Sequence, residues 1–316
     1  MQKRRLGRTG LQIAPLVFGG NVFGWTADEK TSFDILDSFV EAGFNTVDTA
    51  DVYSAWGPGN KGGESETIIG HWMKSRGNRS EVIVVTKVGS SMGPGKKGLS
   101  APYIAEAVEA SLKRLQTDFI DLYLSHWPDS ETPYEETLGA FQSLVKEGKV
   151  RFIGASNLDA EQLRASFDAA KTKSLPRYDV LQPEYNLYDR SGFEGAQSDL
   201  CIAEEIGVIT YFSLAKGFLS GKYRSEADLG QSPRGGDVKA YLNERGFRIL
   251  AALDVVAAKR GAKPAEVALA WLIAKPGVTA PIASATSLAQ LDNLIKAAAL
   301  KLDADDMDAL DLAGAP

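Results

Sequence analysis

Eight short runs rich in β-branched and aliphatic residues recur along this chain of 316 residues, and the segments between them have helical period. The runs fall at residues 16–18, 46–48, 82–87, 119–124, 150–155, 180–182, 208–211 and 280–284. Between two of them, Ile104, Ala107, Val108, Ser111, Leu112 and Leu115 share one face of a 3.6-residue helix over 103–115. A strand that returns to the same sheet edge through a helix must run parallel to the strand before it. Eight such units predict a closed (β/α)8 TIM barrel, not an open sheet. Residues 2–6 and 11–14 flank Gly7-Arg8-Thr9-Gly10, which predicts a β-hairpin ahead of the barrel. Gly261 and Pro264 divide two helices before the last strand, and a proline suits a first helical turn. One barrel domain over 1–316 is expected.

Long Gly-, Pro- and Ser-rich segments follow three of the runs, at 56–64, 89–100 and 215 to about 237. Loops after barrel strands gather at the C-terminal face, where function resides. The formal net charge of -6 and the lack of a long basic run argue against a nucleic-acid surface. Cys201 is the lone cysteine, so no disulfide can form within the chain. With His71 and His126 as the only histidines, a zinc cage is not expected. No run reaches the ~18 apolar residues of a membrane span, and no signal-like apolar stretch opens the chain. A cytoplasmic protein without a membrane partner is expected, of undetermined oligomeric state.

Four polar residues stand where strand-like runs give out. Asp48 ends Thr46-Val47-Asp48, Tyr53 follows five residues later, Lys87 ends 82–87, and His126 follows Leu122-Tyr123-Leu124-Ser125. A free phenol has a pKa near ~10, and a nearby ammonium favours its ionised form. Lys87 is placed to supply that ammonium, Asp48 to hold it, and His126 to hydrogen-bond a carbonyl. Such a set can move a proton beside a carbonyl. It lacks the closely spaced carboxylate pair of glycoside hydrolysis. Each residue also has an ordinary structural explanation: a loop-satisfying acid, a core-edge tyrosine, an emerging lysine, a rim histidine. Trp25, Trp56 and Trp127 lie near three strand ends and either wall an apolar pocket or pack under loops.

Asp48 and Tyr53 within Gly43-Phe44-Asn45-Thr46-Val47-Asp48-Thr49-Ala50, together with Thr86-Lys87 and the His126 segment, resemble the aldo-keto reductase pattern. The resemblance runs from Arg5-Leu6-Gly7 to the last strand and helix. It implies hydride transfer between a nicotinamide dinucleotide and an aldehyde or ketone, reversible with alcohols. In such reductases the residue at Tyr53 donates the proton, those at Lys87 and Asp48 tune it, and that at His126 orients the carbonyl. Ser156, Asn157 and Gln182 match residues that hold the nicotinamide amide. Tyr211 matches the aromatic that stacks on the ring.

Ser213, Leu214, Gly217, Lys222 and Arg234 lie in the segment that wraps the pyrophosphate, although a solvated loop arginine is an equal reading of Arg234. The family usually has proline at Ser213. Ser284, Thr286, Ser287, Gln290 and Asn293 match the adenosine end. Many relatives carry Lys or Arg at Thr286 and Ser287, and an adenine-contacting Asn is replaced by Leu294. NADP is the expected cofactor, with NAD as the alternative. The resemblance also includes potassium-channel accessory subunits, so a slow cofactor-sensing partner protein is the second reading.

Overall fold

The computed structural model describes residues 2–233 and 235–315. The hairpin pairs β1 (Arg4–Arg5) with β2 (Gln12–Ile13), antiparallel and with Arg4 opposite Ile13. Gly7 makes its turn at φ +53, where a Cβ would come within 2.3 Å of the Gly207 nitrogen. Glycine is therefore needed both for the left-handed backbone and for the close approach. Leu6 and Ile13 join Val17, Val85, Leu122, Val180 and Ile209 in one apolar cluster inside the barrel. The hairpin thereby plugs the end of the barrel where the strands begin.

Eight parallel strands follow: β3 (Val17–Gly19), β4 (Thr46–Asp48), β5 (Ile83–Val88), β6 (Ile120–Ser125), β7 (Val150–Ser156), β8 (Val180–Gln182), β9 (Gly207–Thr210) and β10 (Ala280–Ala283). They close in that order, with β10 pairing to β3. The expected barrel and hairpin are both present. Helices pack outside it on a second core that includes Phe39, Ile69, Trp72, Tyr123 and Trp271. Asp159 and Gln162 form a reciprocal capping box at the start of the helix Ala160–Lys173, which satisfies otherwise unpaired amides. The break before the last strand separates Glu244–Arg260 from Pro264–Ala274, with Pro264 in the first turn. Among the described residues no helix is long and apolar enough to cross a membrane.

Several strand ends differ by one residue from the sequence expectation. Inter-strand pairing sets these ends, and composition does not register it. β5 continues past Lys87 to Val88, and β9 stops at Thr210, leaving Tyr211 in an isolated bridge to Glu184. The segment expected as one long loop after residue 215 instead holds the short helical pieces Ala215–Ser220, Glu226–Gln231 and Gly235–Val238. Ser225 and Asp228 form a capping box there, a local signal that composition alone concealed.

Candidate active site

Barrel closure brings Asp48 at the end of β4 against Lys87 near the end of β5. The Lys87 Nζ donates at 2.8 Å to Asp48 Oδ2, to the Thr49 carbonyl and to the Tyr53 hydroxyl. All three ammonium protons thus have acceptors, which is what a fully buried ammonium requires. Burial lowers the Lys87 pKa, and the Asp48 charge opposes that shift. Tyr53 donates to Asp48 Oδ2 at 3.3 Å. The other Asp48 oxygen accepts from Gln182 Nε2 at 2.7 Å.

Tyr53 stands on the loop after β4, not on a strand. Next to it, Ser54 takes a positive φ of 72° and donates to the Phe23 carbonyl at 2.6 Å. Asn60 Nδ2 in turn donates to the Ser54 carbonyl at 2.9 Å. These bonds hold the phenol's loop against the barrel rim. His126 directly follows β6, and its amide donates to the Val88 carbonyl. Its Nδ1 lies 2.9 Å from the Ser90 hydroxyl, and its ring centroid is 6.0 Å from that of Tyr53. Burial, then the Lys87 charge, pushes the His126 pKa well below its ordinary value. The imidazole is therefore neutral near pH 7 and offers one donor and one acceptor.

A second network borders this group. Tyr211 donates to Asn157 Oδ1 at 2.7 Å, Asn157 Nδ2 donates to the His126 carbonyl at 2.9 Å, and Ser156 donates to the Gln182 carbonyl at 2.8 Å. Through Gln182 it reaches Asp48, so the two groups are rigidly joined. Phe212, Ala215 and Lys216 have φ of 48°, 46° and 57°, and Gly217 has 107°. Three non-glycine residues in the left-handed region store strain, a feature concentrated at functional sites.

One cavity of about 490 Å³ unites these parts at the barrel mouth. Of the expected residues, Asp48, Tyr53, His126, Ser156, Asn157, Gln182, Tyr211, Ser213, Leu214, Gly217, Ser284, Trp56 and Trp127 line it. Lys87 lies behind Tyr53, reached through the phenol rather than from the cavity. Trp56 and Trp127 take the first of the two expected roles, lining the cavity, while Trp25 is not among its lining residues. It meets Trp56 edge-on at 5.9 Å and acts as packing behind it.

Of the residues matched to the adenosine end, Ser284 lines this cavity, and Thr286, Ser287, Gln290 and Asn293 lie outside it. Thr286 bonds Gln290 Oε1 through its amide and hydroxyl, while Ser287 caps the helix Leu288–Ala299. Asn293 Oδ1 accepts from Lys263 Nζ at 2.8 Å, and Lys222 Nζ stands 4.9 Å from the Tyr223 ring. Arg234 lies outside the described residues. Sequence reasoning missed Asn21, Ser90, Glu184 and Lys216, which all line the cavity. It also missed Gly19, where a Cβ would come within 2.6 Å of the Ser284 hydroxyl. Ser90 had one usable signal, its position just past the end of β5.

The profile of the Aldo/keto reductase family matches residues 15–314. A protein of Bacillus subtilis (strain 168), named "Uncharacterized oxidoreductase YrpG", is 37% identical over 314 residues, covering 96% of this chain and 93% of the relative. From the same organism, "Aldo-keto reductase YhdN" is 32% identical over 320 residues, covering 97% of this chain and 91% of the relative. A "Probable voltage-gated potassium channel subunit beta" of Arabidopsis thaliana is 34% identical over 305 residues, covering 94% and 91%.

Proposed function

The chain belongs to the aldo/keto reductase family, and from that premise we propose a specific assignment for its site: Tyr53 protonates a carbonyl oxygen during reduction of an aldehyde or ketone. The protein is an NAD(P)-dependent oxidoreductase acting on carbonyl groups. The observation that carries the assignment is the three-way contact of Lys87 Nζ with Asp48, Thr49 and Tyr53, each at 2.8 Å. A buried ammonium against the phenol stabilises the phenolate left after proton donation. Asp48 keeps the ammonium in place and, through Gln182, ties it to the opposite cavity wall. Neutral His126 has a ring N–H with which to hold the substrate oxygen beside Tyr53. In alcohol oxidation the same phenol acts as base.

The cavity residues fit a nicotinamide cofactor, which when bound supplies or accepts the hydride. Ser156, Asn157 and Gln182 present amide and hydroxyl groups suited to a carboxamide. Tyr211 presents an aromatic face. The left-handed turn from Ala215 to Gly217, with the Lys216 side chain at the cavity, suits an anionic pyrophosphate. NADP(H) is the proposed cofactor, with weak discrimination against NAD(H), because Thr286 and Ser287 carry no fixed charge. The assembled phenol and ammonium favour turnover over a purely accessory role.

The test is reduction of an aldehyde and ketone panel with NADPH and NADH, with the alcohol product identified. Turnover that survives Tyr53→Phe at the wild-type rate rejects the proton assignment. Cofactor binding without reduction of any panel member rejects the reductase reading.

A further inference from the structure

Residues 48–53 wrap Lys87 from several sides. Asp48 Oδ2, the Thr49 carbonyl and the Tyr53 hydroxyl meet its ammonium, and the Asp51 amide donates to its carbonyl at 3.4 Å. Within this collar the Asp51 carboxyl takes no part in the catalytic group. It is nonetheless buried, and neither of its oxygens has a well-formed hydrogen bond. A buried polar group in that condition is costly and calls for a physical account.

The charges that act on Asp51 come from both sides of the barrel wall. On β5, Val85 belongs to the inner cluster, and Lys87, two residues on, shares its face. Thr86 between them faces out, where its hydroxyl donates to Glu66 Oε1 at 2.6 Å. Glu66 stands on the helix Glu64–Arg76, and its other oxygen accepts from Arg114 Nε at 2.6 Å, on the helix Ala101–Leu115. Tyr103 of that second helix and Tyr123 of β6 complete the titratable groups around Asp51, and the Tyr123 hydroxyl is also buried without a partner. Among these groups Glu66 repels an Asp51 carboxylate, while Arg114 and Lys87 attract it. Arg114 is already bonded to Glu66 and Lys87 to Asp48, so Asp51 is left without an ion-pair partner of its own. Burial, then the Glu66 charge, raises its pKa to about 7.

We propose that Asp51 is a positioning residue of the carbonyl reduction, whose gain or loss of a proton sets how much of the Lys87 charge Tyr53 feels. The proposal rests on the reductase reading and adds to it a residue that acts through Lys87. With Asp51 protonated, the ammonium has one counter-charge, Asp48, and its field stabilises the phenolate left when Tyr53 gives its proton to the carbonyl oxygen. When Asp51 releases its proton to solvent, a second negative charge stands behind the ammonium. Asp48 already holds the ammonium at 2.8 Å, so the added charge cancels part of the field that reaches Tyr53. The phenol becomes a weaker acid, and proton donation slows. A carboxyl that served packing alone would change the rate by the same factor at every pH.

Asp51→Asn fixes the neutral form in nearly the same shape. Single-turnover hydride transfer from NADPH to a carbonyl substrate of the panel is followed in wild type and variant from about pH 6 to about pH 8, which spans the Asp51 titration. The ratio of variant to wild-type rate is expected to rise about three- to tenfold across that range, the scale of one charge about 10 Å away at an intermediate effective dielectric. A ratio that is constant with pH, or that falls as pH rises, overturns the proposal. Glu66→Gln keeps groups able to bond Arg114 and Thr86 but removes the repelling charge, so the wild-type break in rate should move to lower pH. A break that stays in place or moves up also overturns it.

Ultraviolet titration of the Tyr53 phenolate separates the two levels of inference, because it needs no substrate. The signal is the difference between each protein and its Tyr53→Phe counterpart. A lower phenolate pKa in Asp51→Asn than in wild type supports the coupling even where no carbonyl is turned over and the reductase reading fails. Equal phenolate pKa values in the two backgrounds overturn it.

Discussion

Replacing Asp51 by Asn should stabilise the protein at alkaline pH. Asp51 is 2% exposed, and neither of its carboxylate oxygens has a well-formed hydrogen bond. Burial, then repulsion from Glu66, raises its pKa from the ordinary 3.8 to about 7, against weaker opposing pulls from Arg114, the Val52 amide and Lys87. Glu66 is itself fully buried and already committed to Arg114 and Thr86, at 2.6 Å each. The nearby Tyr123 hydroxyl is another buried group without a partner, so the surroundings offer Asp51 little relief.

The sign follows from proton linkage. The folded state holds the Asp51 proton more tightly than the unfolded chain, so stability is complete below about pH 4 and declines as pH rises through about 7. A gap of about three units at 1.36 kcal/mol each sets a ceiling of about 4 kcal/mol lost by pH 8. Asn has nearly the same shape and never ionises. Asp51→Asn should therefore exceed wild type by up to about 4 kcal/mol at pH 8, or roughly 5–10 °C in Tm. The advantage should shrink steadily toward pH 5. Thermal and urea unfolding of both proteins at half-unit steps from pH 5 to 8 measures it. A difference that does not change with pH, or that grows on acidification, would refute the claim that an unpaired buried carboxyl is the cause.

Tyr53→Phe should reduce carbonyl turnover by about 10²-fold or more while cofactor affinity, followed by fluorescence titration, stays near wild type. Lys87→Met removes three hydrogen bonds and leaves Asp48 buried without its counter-charge, so unfolding should show a loss of about 3–5 kcal/mol. Residual activity of that variant should have its alkaline limb moved to higher pH, since the charge that favours phenolate is gone; an unmoved pH–rate profile counts against the electrostatic role. Ser287→Arg should raise the ratio of NADPH to NADH affinity at fixed salt. It should also cost about 1 kcal/mol in stability, because Ser287 caps its helix. An unchanged affinity ratio in a folded variant means that Ser287 does not face the 2′ position.

The alternation of aliphatic runs and amphipathic segments was enough to predict an eight-stranded parallel barrel, because each pattern reports which faces must leave water. The same runs located Asp48, Lys87 and His126, since a polar residue at the end of a buried run has few reasons to be there. Which atoms meet was decided by barrel closure and loop conformation. Gln182 reaches Asp48 across 134 residues of sequence, and no local pattern encodes that distance. Tyr53 owes its position to the bonds of Ser54 and Asn60 on a loop without periodicity. Trp25 looked equivalent to Trp56 in sequence, yet it turned edge-on behind it, because a side chain's direction on an irregular loop depends on what the loop packs against. Glu184 and Lys216 were invisible for the same reason. Sequence determined the barrel and the kinds of group at its mouth through short-range burial patterns. Tertiary structure alone chose their partners, because hydrogen bonds depend on ångström-scale distances set by the closed sheet and the backbone turns above it.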